Sequence, residues 1–158
     1  MTHVEVFTAV VVLLAVQAAW RGGAPERLAS LAMLLATGAT MLANAGAALP
    51  FRHVEWPLLA IDGVLFAVLV VIAVLANRFW PLWLAGFQCV AVAAHTARGF
   101  DPQILPVAYW WIVGKLSYPM LALLCIGIER HHRRALDGSR EAPWSRTASV
   151  EQDVPVSK

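Results

Sequence analysis

The sequence predicts an all-α polytopic membrane protein with five transmembrane helices, the fourth of them short, followed by a disordered cytoplasmic tail. Three observations predict it. Hydrophobic residues make up 59% of the chain and charged residues 14%, far from the mix of a soluble domain. Apolar runs recur at close to the ~20 residues that cross ~30 Å of hydrocarbon, separated by short links containing Pro, Gly or charge. The arginines, finally, gather in alternate links, as they do when a chain crosses a membrane repeatedly. In 158 residues there is no room for a sizeable soluble domain beside such a bundle. A net charge of +2 without a basic stripe interleaved with aromatics, and without a glycine-rich phosphate loop, sets nucleic acid aside. The lipid bilayer is the partner this composition implies.

The chain divides into a helical bundle over 1–128 and a tail over 129–158. The first span, about 4–20, reads "VEVFTAVVVLLAVQAAW". It lacks the positively charged segment that opens a signal peptide, and its charges, Arg21 and Arg27, come afterwards. We read it as a retained helix, uncleaved after Ala19. The second, about 28–48, repeats Ala39, Ala43 and Ala47 at four-residue spacing beside a polar stripe of Thr37, Thr40 and Asn44, a pattern suited to close helix packing. The third, about 57–76, is almost unbroken aliphatic except for Asp62. "ANRFWPLW" reads as a turn, with Asn77 ending one helix and Pro81 opening the next. The fourth span, about 82–97, is short and alanine-rich and carries Gln88 and His95; the fifth, about 106–128, carries Lys115 and Pro119. The tail loses apolar periodicity and mixes six basic with five acidic residues, a composition expected to be disordered beyond a first helical turn or two. Its opening "RHHRR" reads as an ordinary cytoplasmic flank or as a patch for anionic lipid.

Orientation follows from the arginines. With the amino terminus outside, five spans place Arg21, Arg27, Arg78, Arg130, Arg133, Arg134 and Arg140 inside and leave Arg52 and Arg98 outside, whereas deleting the fourth span removes the bias. Trp20, Trp80 and Trp83 then mark the inner boundary, and Trp56, Tyr109 and Trp110 the outer one. Cys89 and Cys125 fall in apolar spans at different depths and read as unpaired small core residues.

At "GGAPERLA", "ANRFWPLW" and "VAYW" the chain resembles small uncharacterised polytopic inner-membrane proteins of alphaproteobacteria, of the sphingomonad type. The resemblance implies the inner membrane of a Gram-negative cell and carries over no catalytic residue.

In this topology Asn44, Asp62, His95 and Lys115 all fall in the outer half of the bundle, and Gln88 continues the face of His95 inward by seven residues. Lys115, nine residues into its span, is expected ~13 Å deep. An ammonium there needs a counter-charge or water, and Asp62 is the expected partner. Trp111 and Tyr118 share its helix face. Five residues, Asp62, Lys115, His95, Asn44 and Gln88, thus form the expected intramembrane polar cluster. No catalytic residue, metal site or cofactor is expected, since no pair of His, Cys or carboxylate residues has a recognised ligand or nucleophile–base spacing.

Three functions compete. A small accessory or scaffold subunit, packing through its helices in a larger membrane complex, asks no chemistry of the cluster. A transporter-like or proton-relay protein uses it, as a homo-oligomer because five helices alone make a cramped pore. A periplasm-facing metal-binding protein or enzyme draws on His3, Glu5, His53, Glu55, His95 and Asp101, all placed on the outer side.

Overall fold

The computed structural model describes residues 3–45, 56–76, 78–100 and 106–137. They form five helices: α1 (His3–Arg21), α2 (Ala24–Ala45), α3 (Trp56–Leu75), α4 (Trp80–Phe100) and α5 (Pro106–Leu136). Three of them, over Val4–Arg21, Ala24–Ala45 and Trp56–Leu75, are long and apolar enough to cross a membrane.

Each helix packs on its neighbours in sequence, and α5 returns to lie against α1. Phe7 meets Tyr118 edge-on, with ring centroids 6.1 Å apart, and Gly23 lies beside His131. Two contacts in the same order along both chains make α1 and α5 parallel, while successive helices alternate. The bundle therefore has one end holding Phe7, Asp62 and His95, here the first end, and a second end holding Gly23, Arg78 and His131.

Helical periodicity selects the core. Val11, Leu14 and Ala18 on α1, Leu65, Leu69 and Ile72 on α3, and Leu121, Leu124 and Ile128 on α5 are buried at alternating steps of three and four. The outward faces are equally apolar: Leu13 is 66% exposed and Leu42 78%.

The elements differ from expectation at two places. Helix α4 has 21 residues and is not short. It begins at Trp80, with Pro81 buried in its first turn, and it runs on through Arg98 because Ala97, Arg98 and Gly99 present no proline to stop it. Helix α2 starts at Ala24, four residues earlier than expected, because Pro25 suits a first turn and brings Glu26 and Arg27 into the helix. Helix α5 continues past Ile128 to Leu136, the turn or two of helix expected at the start of the tail. There Arg133 Nε donates to Glu129 Oε1 at 2.7 Å, the favourable i,i+4 order of acid before base. That hydrogen bond holds the Glu129 carboxyl below its ordinary value. The support this gives the extension is present above the ordinary carboxylate range and fades as pH falls through the lowered value.

Two glycines admit close approach. A Cβ at Gly22 would lie 2.6 Å from the carbonyl oxygen of Ala18, backbone that cannot yield. At Gly127 it would lie 3.1 Å from the Trp80 indole. Gly22→Ala is expected to lose about 1–3 kcal/mol from overpacking and Gly127→Ala less, since a side chain can give. Thermal unfolding in mild detergent measures both, and equal losses would contradict this ranking.

Cys89 and Cys125 are free and exposed, so they lie on the outer faces and not in the core. Residues 46–55, with Arg52, His53 and Glu55, residues 101–105, with Asp101, the turn residue Asn77, and the tail from 138 all lie outside the described residues.

Candidate functional site

At the first end, α3 and α4 bring three polar side chains together. Asp62 lies three residues before Leu65, so the stripe that buries Leu65, Leu69 and Ile72 also turns Asp62 inward. On α4 the same logic aligns Leu84, Gln88, Ala91 and His95, all buried. His95 Nε2 lies 2.9 Å from Asp62 Oδ2. Gln88 Nε2 donates to Asp62 Oδ1 at 2.9 Å and lies 3.3 Å from the Asp62 backbone oxygen. Both carboxylate oxygens thus meet α4, and the group is compensated within a low-dielectric interior.

Asp62 is paired with His95 and not with Lys115. Lys115 is exposed on α5, its Nζ 5.6 Å from the ring centroid of Tyr118. Its level in the bundle follows from Tyr118. Tyr118 stands level with Phe7, so Lys115, three residues earlier on a parallel helix, stands level with the first turn of α1. Helix α4 packs on both α3 and α5 and so lies between Asp62 and Lys115. Asn44 is exposed near the end of α2, and Asp62's hydrogen bonds go to α4 rather than to it. Of the neighbouring stripe, Thr37 donates to the Met33 carbonyl at 2.8 Å, a bond within its own helix. The side chain of Trp111 lies outside the described residues.

The second end holds a group that the sequence did not disclose. Glu26 is 0% exposed. It sits in the first turn of α2, three and four residues before the buried Ala29 and Ser30, and its two oxygens make no hydrogen bond. Arg78 Nη1, from the link between α3 and α4, lies 3.7 Å from Glu26 Oε1, close enough for a charge pair. From α5 comes His131: a Cβ at Gly23 would lie 2.8 Å from His131 Cε1 and 3.0 Å from Glu26 Oε2. Glycine there is what lets imidazole and carboxylate share one space. The signal in "GGAPERLASLAM" is the spacing, since Glu26 falls on the stripe of Ala29, Ser30 and Met33. It is invisible if the helix is begun after the charges.

Between the ends lies an apolar layer. Helix α3 rises about 15 Å from Asp62 to Ile72, and Leu65, Leu69 and Ile72 share one buried cluster with Leu84, Leu121 and Leu124. On the outside, a groove of about 330 Å³ runs between α4 and α5, lined by Trp83, Phe87, Pro119, Ala122, Leu123 and Ile126.

Among the described residues no three His, Cys, Asp or Glu side chains stand together as a metal site would need. The described cluster is a carboxylate–imidazole pair with an amide at one end and a carboxylate–guanidinium pair with an imidazole at the other. Such pairs can hold helices in register, or accept and pass a proton. Neither has the nucleophile, base and oxyanion donors of a hydrolytic site.

No family model, curated protein or solved structure matches this chain. Function has to be argued from these residues.

Proposed function

We propose that the chain is a five-span integral protein of the bacterial inner membrane, amino terminus outside and tail in the cytoplasm, which serves as an accessory or scaffold subunit. It packs through its helices against a larger membrane complex. The observation that carries the membrane reading is an inverted distribution of residues. Leu35, Val64 and Val74 are about two-thirds exposed while Glu26, Gln88 and His95 are buried. In water both halves of that arrangement cost free energy. In hydrocarbon the apolar exterior is solvated and polar groups find partners only inside. Polar groups at both ends with an apolar layer between them support a packing role, because a relay across the bundle needs polar groups or water at each step. The arginine asymmetry supports the orientation, and the sphingomonad-type resemblance supports the inner membrane.

Purification in mild detergent tests the role. Stoichiometric membrane partners are expected; a protein that runs alone, as a monomer or as a defined oligomer, overturns it. Cysteine labelling tests the topology. With Cys89 and Cys125 replaced, cysteines introduced at Gln103 and Ser145 are expected to label from opposite sides. Labelling from one side removes the five-span arrangement.

One observation favours a second reading. The Asp62–His95 pair, 2.9 Å apart at the first end, is a titratable couple suited to taking up a proton, as a proton-relay or transporter-like protein requires. Vesicles reconstituted with the protein test it: proton flux that Asp62→Asn abolishes without unfolding the bundle establishes this reading in place of the first.

A further inference from the structure

Five arginines stand exposed at the second end: Arg21 at the end of α1, Arg27 in the first turn of α2, and Arg130, Arg133 and Arg134 on α5. Exposed aromatic side chains accompany them, Trp20 at 81%, Phe79 at 69% and Trp83 at 53%. The nearby carboxylates leave this surface positive. Glu26 is turned inward toward Arg78, and Glu129, held by Arg133, and Asp137 are two carboxylates against the five arginines.

These cations come from two segments far apart in sequence, the α1–α2 turn and the end of α5, and docking of the α5 extension gathers them. His131 lies on the space over Gly23, 2.8 Å from where a Cβ would stand. The two turns beyond Ile128 are therefore seated on the α1–α2 turn, and their charges are held over the same surface as Arg21 and Arg27. A flank that merely ended a span would carry its charges on a free rod.

We propose that this end is a binding site for the headgroups of anionic phospholipids, their phosphates among the arginines and their ester region against the exposed tryptophans. The proposal rests on the membrane reading and adds a ligand to it. Guanidinium groups match phosphate oxygens in pairs, and indoles settle at the headgroup level. Charge complementarity and continuity with the apolar exterior commit the site to lipid, because a soluble anion has no use for the aromatic band beside the cations.

The test reconstitutes the full chain into phosphatidylcholine vesicles containing brominated phosphatidylglycerol or brominated phosphatidylcholine, and reads tryptophan quenching as a relative binding constant. Attraction worth about fivefold per surface arginine gives an expected preference for the anionic lipid of at least about tenfold at low salt, shrinking as salt rises. The triple variant R130Q/R133Q/R134Q, altered only at exposed positions, leaves Arg21 and Arg27 in place and is expected to lower the preference severalfold. Gly23→Val removes no charge but displaces His131, and is expected to lower the preference while circular dichroism shows the helices intact. Equal quenching by the two lipids in the unaltered protein, or a triple variant that keeps its preference, overturns the proposal. So does displacement of the lipid by millimolar inorganic phosphate, or a stoichiometric acidic protein holding this end in its place. Failure of the membrane reading shows itself separately, as protein released from the vesicles by an alkaline wash.

Discussion

Arg78→Met is expected to cost the folded protein about 3–5 kcal/mol, the largest loss of any single substitution at the second end. Glu26 is completely buried and makes no hydrogen bond through its carboxylate oxygens, so the Arg78 guanidinium at 3.7 Å is the charge that compensates it. Removing that cation leaves a fully buried carboxylate with only the neighbouring His131 ring beside it. Glu26→Gln removes the charge from the other side and is expected to cost less, since Arg78 stands at the rim, its side chain 10% exposed, and can turn toward solvent. The double change Glu26→Leu with Arg78→Met replaces the pair by apolar volume and is expected to recover most of the loss. Denaturation of the four variants in one detergent measures the coupling. If the single losses simply add, Glu26 and Arg78 act independently and the junction is not a pair.

The second large effect is at the first end. Asp62→Leu is expected to cost about 3 kcal/mol, because it strands the buried Gln88 amide and the His95 ring, each worth ~1–3 kcal/mol when left unsatisfied. Asp62→Asn is expected to cost less. Its oxygen still accepts from Gln88 at the position of Oδ1, and a change of His95 tautomer lets the ring accept from the new amide. A cycle of Asp62→Leu and His95→Leu should show strong coupling, while Asp62→Leu and Lys115→Met should be additive, since α4 separates those two residues. Coupling of Asp62 to Lys115 instead of His95 would contradict the observed pairing.

Much of the bundle is legible in the sequence because its information is local. The five apolar runs, the turn at Pro81 and the stripes at steps of three and four need only the period of one helix. Asp62, Gln88 and His95 could be singled out for the same reason: a polar residue in an apolar run stands out against its neighbours. Lys115 stands out equally, yet it lies on an exposed face. Hydropathy reports that a residue interrupts a run and says nothing of which way it points. Glu26 is the opposite case. Set among Arg21, Arg27 and two glycines, it looks like a solvated link residue, and only the early start of α2 turns it inward.

The sequence by itself determined the helical class, the number of helices, their apolar faces and the asymmetry of the arginines, all of which follow from composition and short-range periodicity. The tertiary structure alone decided the partners. That α4 stands between α3 and α5, that α5 lies parallel to α1, and that Gly23 opens a space for both Glu26 and His131 depend on how five cylinders are arranged around one another. In helices whose outward and inward faces are both apolar, hydrophobicity does not distinguish one arrangement from another. Close contacts at glycines and a few polar pairs do, and these join residues too far apart in the chain for any local pattern to connect.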